Sequence, residues 1–218
     1  GRGGVEHGME VGRDLTERHP SVLVNAINPR RLQGQKTAAV EIVEELGTAP
    51  DYVFLPVGNA GNITAYWMGF QEAYHNEWTS LRPRMMGFQA QGAAPIVRGD
   101  VVTEPETIAT AIRVGNPASW DKALIARDES GGTIDMVSDD NIMDAYKMLA
   151  SKEGIFCEPA SAASLAGLIK HTNAGLNLEG QKVVCIITGS GLKDPDLANE
   201  IKPVWMEEYP PDLDVVEQ

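Results

Sequence analysis

The chain has 218 residues, 43% of them apolar and 22% charged, a composition suited to one or two globular domains with a sizeable buried core. Its net charge of −13 argues against nucleic acid and anionic membrane as partners, because both need a basic face, while leaving room for a locally basic pocket. No apolar run approaches the roughly 20 residues that cross a bilayer, and no signal-peptide pattern is present. The two cysteines, Cys157 and Cys185, lie in apolar segments without metal spacing, so no metal site is expected. They read as reduced core residues of a cytoplasmic protein.

The chain does not begin with Met, and GRGGVEHG reads as neither a targeting segment nor a good start to a fold. Residues 1–20 are therefore expected to be a remnant of a preceding segment. Ser21 to Ile27 reads as a buried strand. Gln33 to Leu46 reads as a helix, with Ala38, Ala39, Ile42, Val43 and Leu46 at helical spacing and Gly47 as its stop. Asp51 to Val57 is a second strand, followed by a glycine loop and a helix through about Tyr74. Arg84 to Gln89 is a third strand; Thr107–Arg113 and Pro117–Arg127 are predicted helices, and Thr133–Val137 a further strand. Ser138 caps a helix to about Ser151, with Asp139 and Asp140 in its first turn, where the helix dipole favours acids. Ala160–His171 is an alanine-rich helix, and Gln181–Thr188 the last strand, ending in Gly189-Ser190-Gly191. Residues 206–218, with Glu207, Glu208, Asp212, Asp214 and Glu217, read as a solvated acidic tail.

Strands alternating with helices imply an α/β fold with an open, mainly parallel sheet and helices on both faces. Ligands of such sheets bind beyond the carboxyl ends of the strands. Two glycine-rich turns fall there, after Val57 and after Thr188. In the first, Gly58 and Gly61 permit backbone angles that bring several N–H groups to one point. The following helix adds its positive end. Asn59 and Asn62 offer amide hydrogens, and Thr64 a hydroxyl in the first turn. The loop reads as a cup for a phosphate dianion; a tight βα turn with Asn as helix cap explains the same residues structurally. It is neither a Walker loop nor GxGxxG. The stretch from Asn25 to Thr37, with Arg30 and Arg31, packs polar and cationic groups at a strand end and could clamp a second anion. A solvated helix start accounts for it equally simply. At Thr188 a hydroxyl beside Gly189 and Gly191 could point at a flat ligand, or the segment could be only a turn.

Six segments together resemble the threonine synthases, members of the tryptophan-synthase-β-like group of pyridoxal-phosphate enzymes. They are PVGNAGNITAYW, NPRRLQGQKTAAVEIVEELG, GFQAQGAAP, ATAIRVGNPASW, EPASAAS and TGSGLKDP, spread from about residue 14 to about residue 203. The resemblance implies the fold type II large domain over residues 21–205, its N-terminal part missing. It implies pyridoxal 5′-phosphate as cofactor and O-phospho-L-homoserine as substrate, converted with water to L-threonine and phosphate. Gly58, Asn59, Ala60, Gly61 and Asn62 match the loop that cradles the cofactor phosphate. Thr188 matches the hydroxyl facing the ring nitrogen, which a hydroxyl partner leaves largely unprotonated. Asn25, Arg31 and Asn59 match positions that grip the substrate phosphate; Lys36 lies in the same motif and is assigned no role. The family also implies a homodimer.

The family's Schiff-base lysine lies upstream of the segment that opens this sequence, and none of the chain's lysines sits in that motif. No catalytic residue is therefore assigned, and the isolated chain is expected to be inactive. A sheet without its early strands is expected to expose an edge and apolar surface. Gln33 stands where the family usually has glutamate, which weakens any pairing with Arg31. Glu158-Pro159 resembles a pocket wall, and Ser161 could equally be a helix cap. The four histidines and four tryptophans read as structural. Alternative readings are another enzyme of the group, such as threonine dehydratase or cysteate synthase, or a non-catalytic truncated relic.

Overall fold

The computed structural model of the protein describes residues 5–21 and 28–200. Most of the strand expected at Ser21–Ile27, including Asn25, lies outside those residues, as does the acidic tail. Val5–Gly8, read as a poor start to a fold, begins helix α1 (Val5–Arg18). Next come α2 (Pro29–Gln35) and α3 (Thr37–Leu46) where one helix from Gln33 was expected. Asn28 caps α2, its side chain accepting from the Arg30 N–H at 2.9 Å, and Pro29 suits the first helical position. The break at Lys36 has a local cause. The Thr37 hydroxyl takes the Gly34 carbonyl at 2.9 Å, and the Ala39 N–H tightens onto the Lys36 carbonyl at 3.1 Å.

The remaining elements are β1 (Tyr52–Pro56), α4 (Gly61–His75), β2 (Arg84–Ala90), α5 (Pro95–Arg98), α6 (Trp120–Ser130), β3 (Thr133–Val137), α7 (Asp139–Glu153), α8 (Pro159–Asn173), β4 (Val183–Cys185) and α9 (Pro195–Glu200). The helix expected at Thr107–Arg113 is reduced to a 3-10 turn at Thr110–Ile112. Asp139 is the reason: it accepts from the Thr107 hydroxyl at 2.5 Å and the Ile108 N–H at 3.1 Å, while the Ala109 N–H turns to Thr107 Oγ1 at 3.1 Å. Side chains thus hold backbone groups that a helix would use.

The four described strands form one parallel sheet in the order β3-β2-β1-β4, in keeping with the alternating pattern. Strands β1 and β2 are nearly continuous apolar runs because both faces are covered. Val53, Leu55, Val57 and Met85 face α3, α4 and α6. Phe54, Met86 and Phe88 face α7 and α8, with the Phe54 and Phe88 rings stacked at 5.8 Å. In α7 the buried residues Ile142, Ala145, Tyr146 and Leu149 recur at helical spacing, and Ser138 caps the helix by accepting from the Asn141 N–H at 3.2 Å. Helix α8 buries Ala160, Ala162, Ala163 and Ala166, small side chains that let its backbone lie close to the sheet. Among the described residues, β3 and β4 are the sheet's edges. No helix among them is long and apolar enough to cross a membrane.

One polar cluster fastens α8 to β3. Asp135 accepts from Lys170 Nζ at 2.7 Å and pairs with His171 Nε2 at 3.1 Å, and Lys170 also donates to the Met136 carbonyl at 2.7 Å. Burial pushes the Asp135 carboxyl up, but hydrogen bonds from Lys170 and the Met136 N–H, with the Lys170 charge and His171, outweigh it and leave it below the usual range. A depressed native value contributes stability above the unfolded aspartate value of about 3.9, and that stability is lost as pH falls through the native value. Asp135→Asn should therefore cost about 0.5–1 kcal/mol at pH 7, a small figure because the pair is partly exposed. Urea unfolding at pH 7 and pH 3 checks this: the variant's deficit should shrink at the lower pH.

Candidate functional site

The loop after β1 is held by its own side chains. The Asn62 amide donates to the Pro56 carbonyl at 2.6 Å, and its oxygen accepts the Ile63 N–H at 2.8 Å. The Thr64 hydroxyl is buried and donates to the Ala60 carbonyl at 2.8 Å, so it is a strut rather than the open donor expected from sequence. Ala60 sits in the left-handed region at φ 62°, turning the chain into α4. Gly58 leaves little room for a side chain: a Cβ there would lie 3.1 Å from both the Ala111 carbonyl and the Ile112 Cα, closer than ordinary contact. Among the described residues, no acceptor is taken by the backbone N–H groups from Gly58 to Asn62. A run of free N–H groups at the start of a 15-residue helix is an anion-binding arrangement.

Asn59 faces two ways. Its backbone carbonyl accepts the Ser119 N–H at 3.1 Å, and its side-chain oxygen accepts the Ala118 N–H at 3.3 Å. The amide hydrogens are left over as donors, and Asn59 lines a cavity of about 600 Å³ at this end of the sheet. Arg31 from α2, the loop 58–62, Tyr66 and Thr188 line it together. Arg31 is the only cation among the described residues of the lining, and its guanidinium has no acceptor among them. Lys36 is paired with Glu72 of α4, and Gln33 makes no bond to Arg31. No lysine is among the described lining residues. Asn25 cannot be placed, because it lies outside the described residues.

Tyr66 escaped the sequence reading, although it stands one helical turn after Asn62 on α4. Burial, and then the nearby Glu41 charge, push its hydroxyl above the ordinary range, so it stays protonated and able to donate.

The opposite wall is built by α8 and the chain after β4. Ser161 is not a cap, since Glu158 holds the capping position of α8. The Ser161 hydroxyl oxygen instead accepts the N–H groups of Thr188 at 3.0 Å and Gly189 at 2.9 Å. It lies 2.9 Å from Thr188 Oγ1, which in turn donates to Glu158 Oε1 at 3.1 Å. The Glu158 N–H also reaches the Gly189 carbonyl at 2.9 Å. These bonds draw the chain out of the sheet after Ile186, which is why β4 is shorter than the run Gln181–Thr188. Both cysteines are free, and burial pushes the thiols up, that of Cys185 to about 11, which disfavours the thiolate. No metal-holding group of side chains occurs among the described residues.

Residues 2–189 match the family described as pyridoxal-phosphate dependent enzyme. The chain belongs to that family. Threonine synthase of Halalkalibacterium halodurans is 55% identical over 197 residues, covering 90% of this chain and 55% of the relative. Threonine synthase of Synechocystis sp. is 52% identical over 219 residues, 98% of this chain and 56% of the relative. Threonine synthase of Methanocaldococcus jannaschii is 48% identical over 206 residues, 90% of this chain and 51% of the relative. The chain thus spans about half the length of the curated relatives it matches. Among solved structures, maize serine racemase superposes with a TM-score of 0.70 at 20% identity, over 91% of this chain and 60% of that one. Serine racemase from Dictyostelium discoideum gives 0.64 at 23%, over 84% and 57%. At such identities the likeness is one of fold, and it is the open parallel sheet covered on both faces.

The family's cofactor carries a phosphate and a flat ring, and the residues present fit both. The uncommitted N–H groups of the loop suit the phosphate, and Gly58 keeps the loop free of a side chain where it meets Ala111. Across the cavity, Ala160, Ile186 and Ile187 give apolar surface around the Thr188 hydroxyl. Ser161 is central to that wall, because Ser161→Ala strands two backbone N–H groups. Chemical denaturation should show a loss of about 2–4 kcal/mol.

Proposed function

We propose that this chain forms the cofactor- and phosphate-binding part of a threonine synthase, acting on O-phospho-L-homoserine with pyridoxal 5′-phosphate. One observation carries the reading: a single cavity joins a loop of N–H groups and an Arg31 guanidinium, both without acceptors among the described residues, to a hydroxyl wall at Thr188. Two anion-binding features in one cavity suit a cofactor and a substrate that each bear a phosphate. Identities of 52–55% to threonine synthases across 90% or more of the chain support that substrate over others of the same fold.

In this reading Gly58, Asn59, Ala60, Gly61 and Asn62 hold the cofactor phosphate through backbone N–H groups, and Thr188 faces the ring nitrogen. Arg31, the Asn59 amide and Asn25 grip the substrate phosphate. When bound, the cofactor supplies the electron sink that lets a proton leave the carbon next to the substrate nitrogen. The chain's own part is to orient and to stabilise charge. Arg31 and Asn59 stabilise the phosphate as negative charge grows on its departing oxygen. Tyr66 and the apolar wall limit water at the cavity, and the Ala118 and Ser119 N–H groups keep Asn59 aimed. We assign the unit to the large cofactor domain of a cytoplasmic homodimer.

Calorimetry with 4′-deoxypyridoxine 5′-phosphate, which has no aldehyde, tests the cofactor site. It should bind at least tenfold more tightly than 4′-deoxypyridoxine, and Gly58→Val should abolish the difference. With that analogue in place, O-phospho-L-homoserine should bind in preference to L-homoserine, and Arg31→Ala should remove about tenfold of the preference. Equal binding of the two amino acids defeats the substrate assignment.

A further inference from the structure

Lys36 belongs to the same polar stretch as Arg31, yet it does not line the cavity. Its place is a corner: α2 ends there, α3 begins there, and both helices pack on α4. Two contacts seat the corner. The Lys36 ammonium pairs with the Glu72 carboxylate of α4. Beside it Gly69 is buried in α4, and a Cβ there would strike the Lys36 carbonyl and come within 2.7 Å of the Ala39 Cβ. Glycine weakens a helix interior, so its presence in the middle of a 15-residue helix has a packing cause. It lets the backbone of the corner rest directly on α4.

A third contact lies toward the other end of α2. Leu32, the neighbour of Arg31, is buried, and a Cβ on Gly61 would stand 3.7 Å from its Cδ2. Gly61, Gly69 and Glu72 share one face of α4, and Gly61 and Gly69 lie about 12 Å apart along it. One helix therefore carries the phosphate loop at its start and the seat of the Arg31 helix further on. The two sides are not equally firm. Helix α4 buries Ile63, Trp67, Phe70 and Ala73 in the core over the sheet, whereas α2 buries only Leu32. A misfit at the corner thus displaces α2, and Arg31 with it, rather than the loop.

We propose that Gly69 and Lys36 are positioning residues, which seat the α2–α3 corner on α4 and thereby hold Arg31 at a fixed distance from the phosphate loop. This inference rests on the reading that Arg31 grips the substrate phosphate. Neither residue lines the cavity, so both act through Arg31.

The test uses the 218-residue chain with 4′-deoxypyridoxine 5′-phosphate in place, and reads by calorimetry the preference for O-phospho-L-homoserine over L-homoserine. Gly69→Ala should lower that preference about fivefold, because a small displacement of a charged anchor is costly. The preference of the loop for the phosphorylated cofactor analogue should stay within about twofold of wild type. In an Arg31→Ala background, Gly69→Ala should remove nothing further, since the two changes act on one contact. Lys36→Glu should lower the preference about threefold, the pair with Glu72 being partly exposed, and adding Glu72→Lys should restore it. A folded Gly69→Ala variant with the wild-type preference overturns the proposal. So do losses that add to that of Arg31→Ala, or a loss that extends to the cofactor analogue, since Gly69 is then only structural. If Gly69→Ala shows no cooperative melt, the charge swap decides, and a swap that restores nothing overturns the proposal. If Arg31→Ala itself leaves the preference intact, the substrate-phosphate reading falls and this inference with it.

Discussion

The parallel pairing of β1 with β4 is the constraint on which the site depends. Tyr52 lies beside Val183 and Phe54 beside Cys185, and the Ile186 N–H still reaches the Phe54 carbonyl at 2.8 Å. The two strands therefore end side by side and pointing the same way. One releases the loop at Gly58, the other the hydroxyl at Thr188. An antiparallel neighbour would have sent one of them to the far side of the sheet. The long stretch of sequence between these two strands supplies two further strands, both on the other side of β1. Closeness at the site is thus a property of the sheet, not of the chain order.

What keeps the two ends open toward each other is a division of labour among polar side chains. Asn62 and Thr64 bond inward and spend themselves on the shape of the loop, leaving the backbone N–H groups unspent. Ser161 does the reverse on the opposite wall: it absorbs the N–H groups of residues 188 and 189, so that side leads with oxygen. The same residue types, small polar side chains beside glycines, thereby produce a donor surface and an acceptor surface. Which one results depends on whether the side chain satisfies carbonyls or N–H groups.

This explains what could be read from the sequence. Strands β1, β2 and β3 were legible as short apolar runs, and the strand–loop–helix around Gly58 was legible because its glycines and asparagines are contiguous. Arg31 is legible as a candidate because it lies in a polar cluster at a helix start. The role of Ser161 was not legible, since its partners stand 27 and 28 residues away and the local pattern also fits a cap. The same holds for the turn at Thr107, where Asp139, 32 residues on, overrides a helical pattern. Thr64 reads as offering a hydroxyl to the cup because spacing places it in the first helical turn, whereas that hydroxyl donates back to the Ala60 carbonyl. Short-range patterns thus gave the elements, and long-range hydrogen bonds decided what their ends present.

The net charge of −13 sharpens the point. A protein so acidic repels a phosphate at a distance, yet exposed charges are screened beyond about 8–10 Å at physiological salt. Within the cavity the balance is set by near neighbours: free N–H groups, the start of α4, the Asn59 amide and the Arg31 guanidinium. Lys36, the other cation of the same stretch, is neutralised by Glu72 and adds nothing there. Backbone dipoles are fixed by the fold and need no reorganisation when an anion arrives. A chain can therefore be acidic over its surface and selective for anions at one strand end, provided the donors at that end are left without partners of their own.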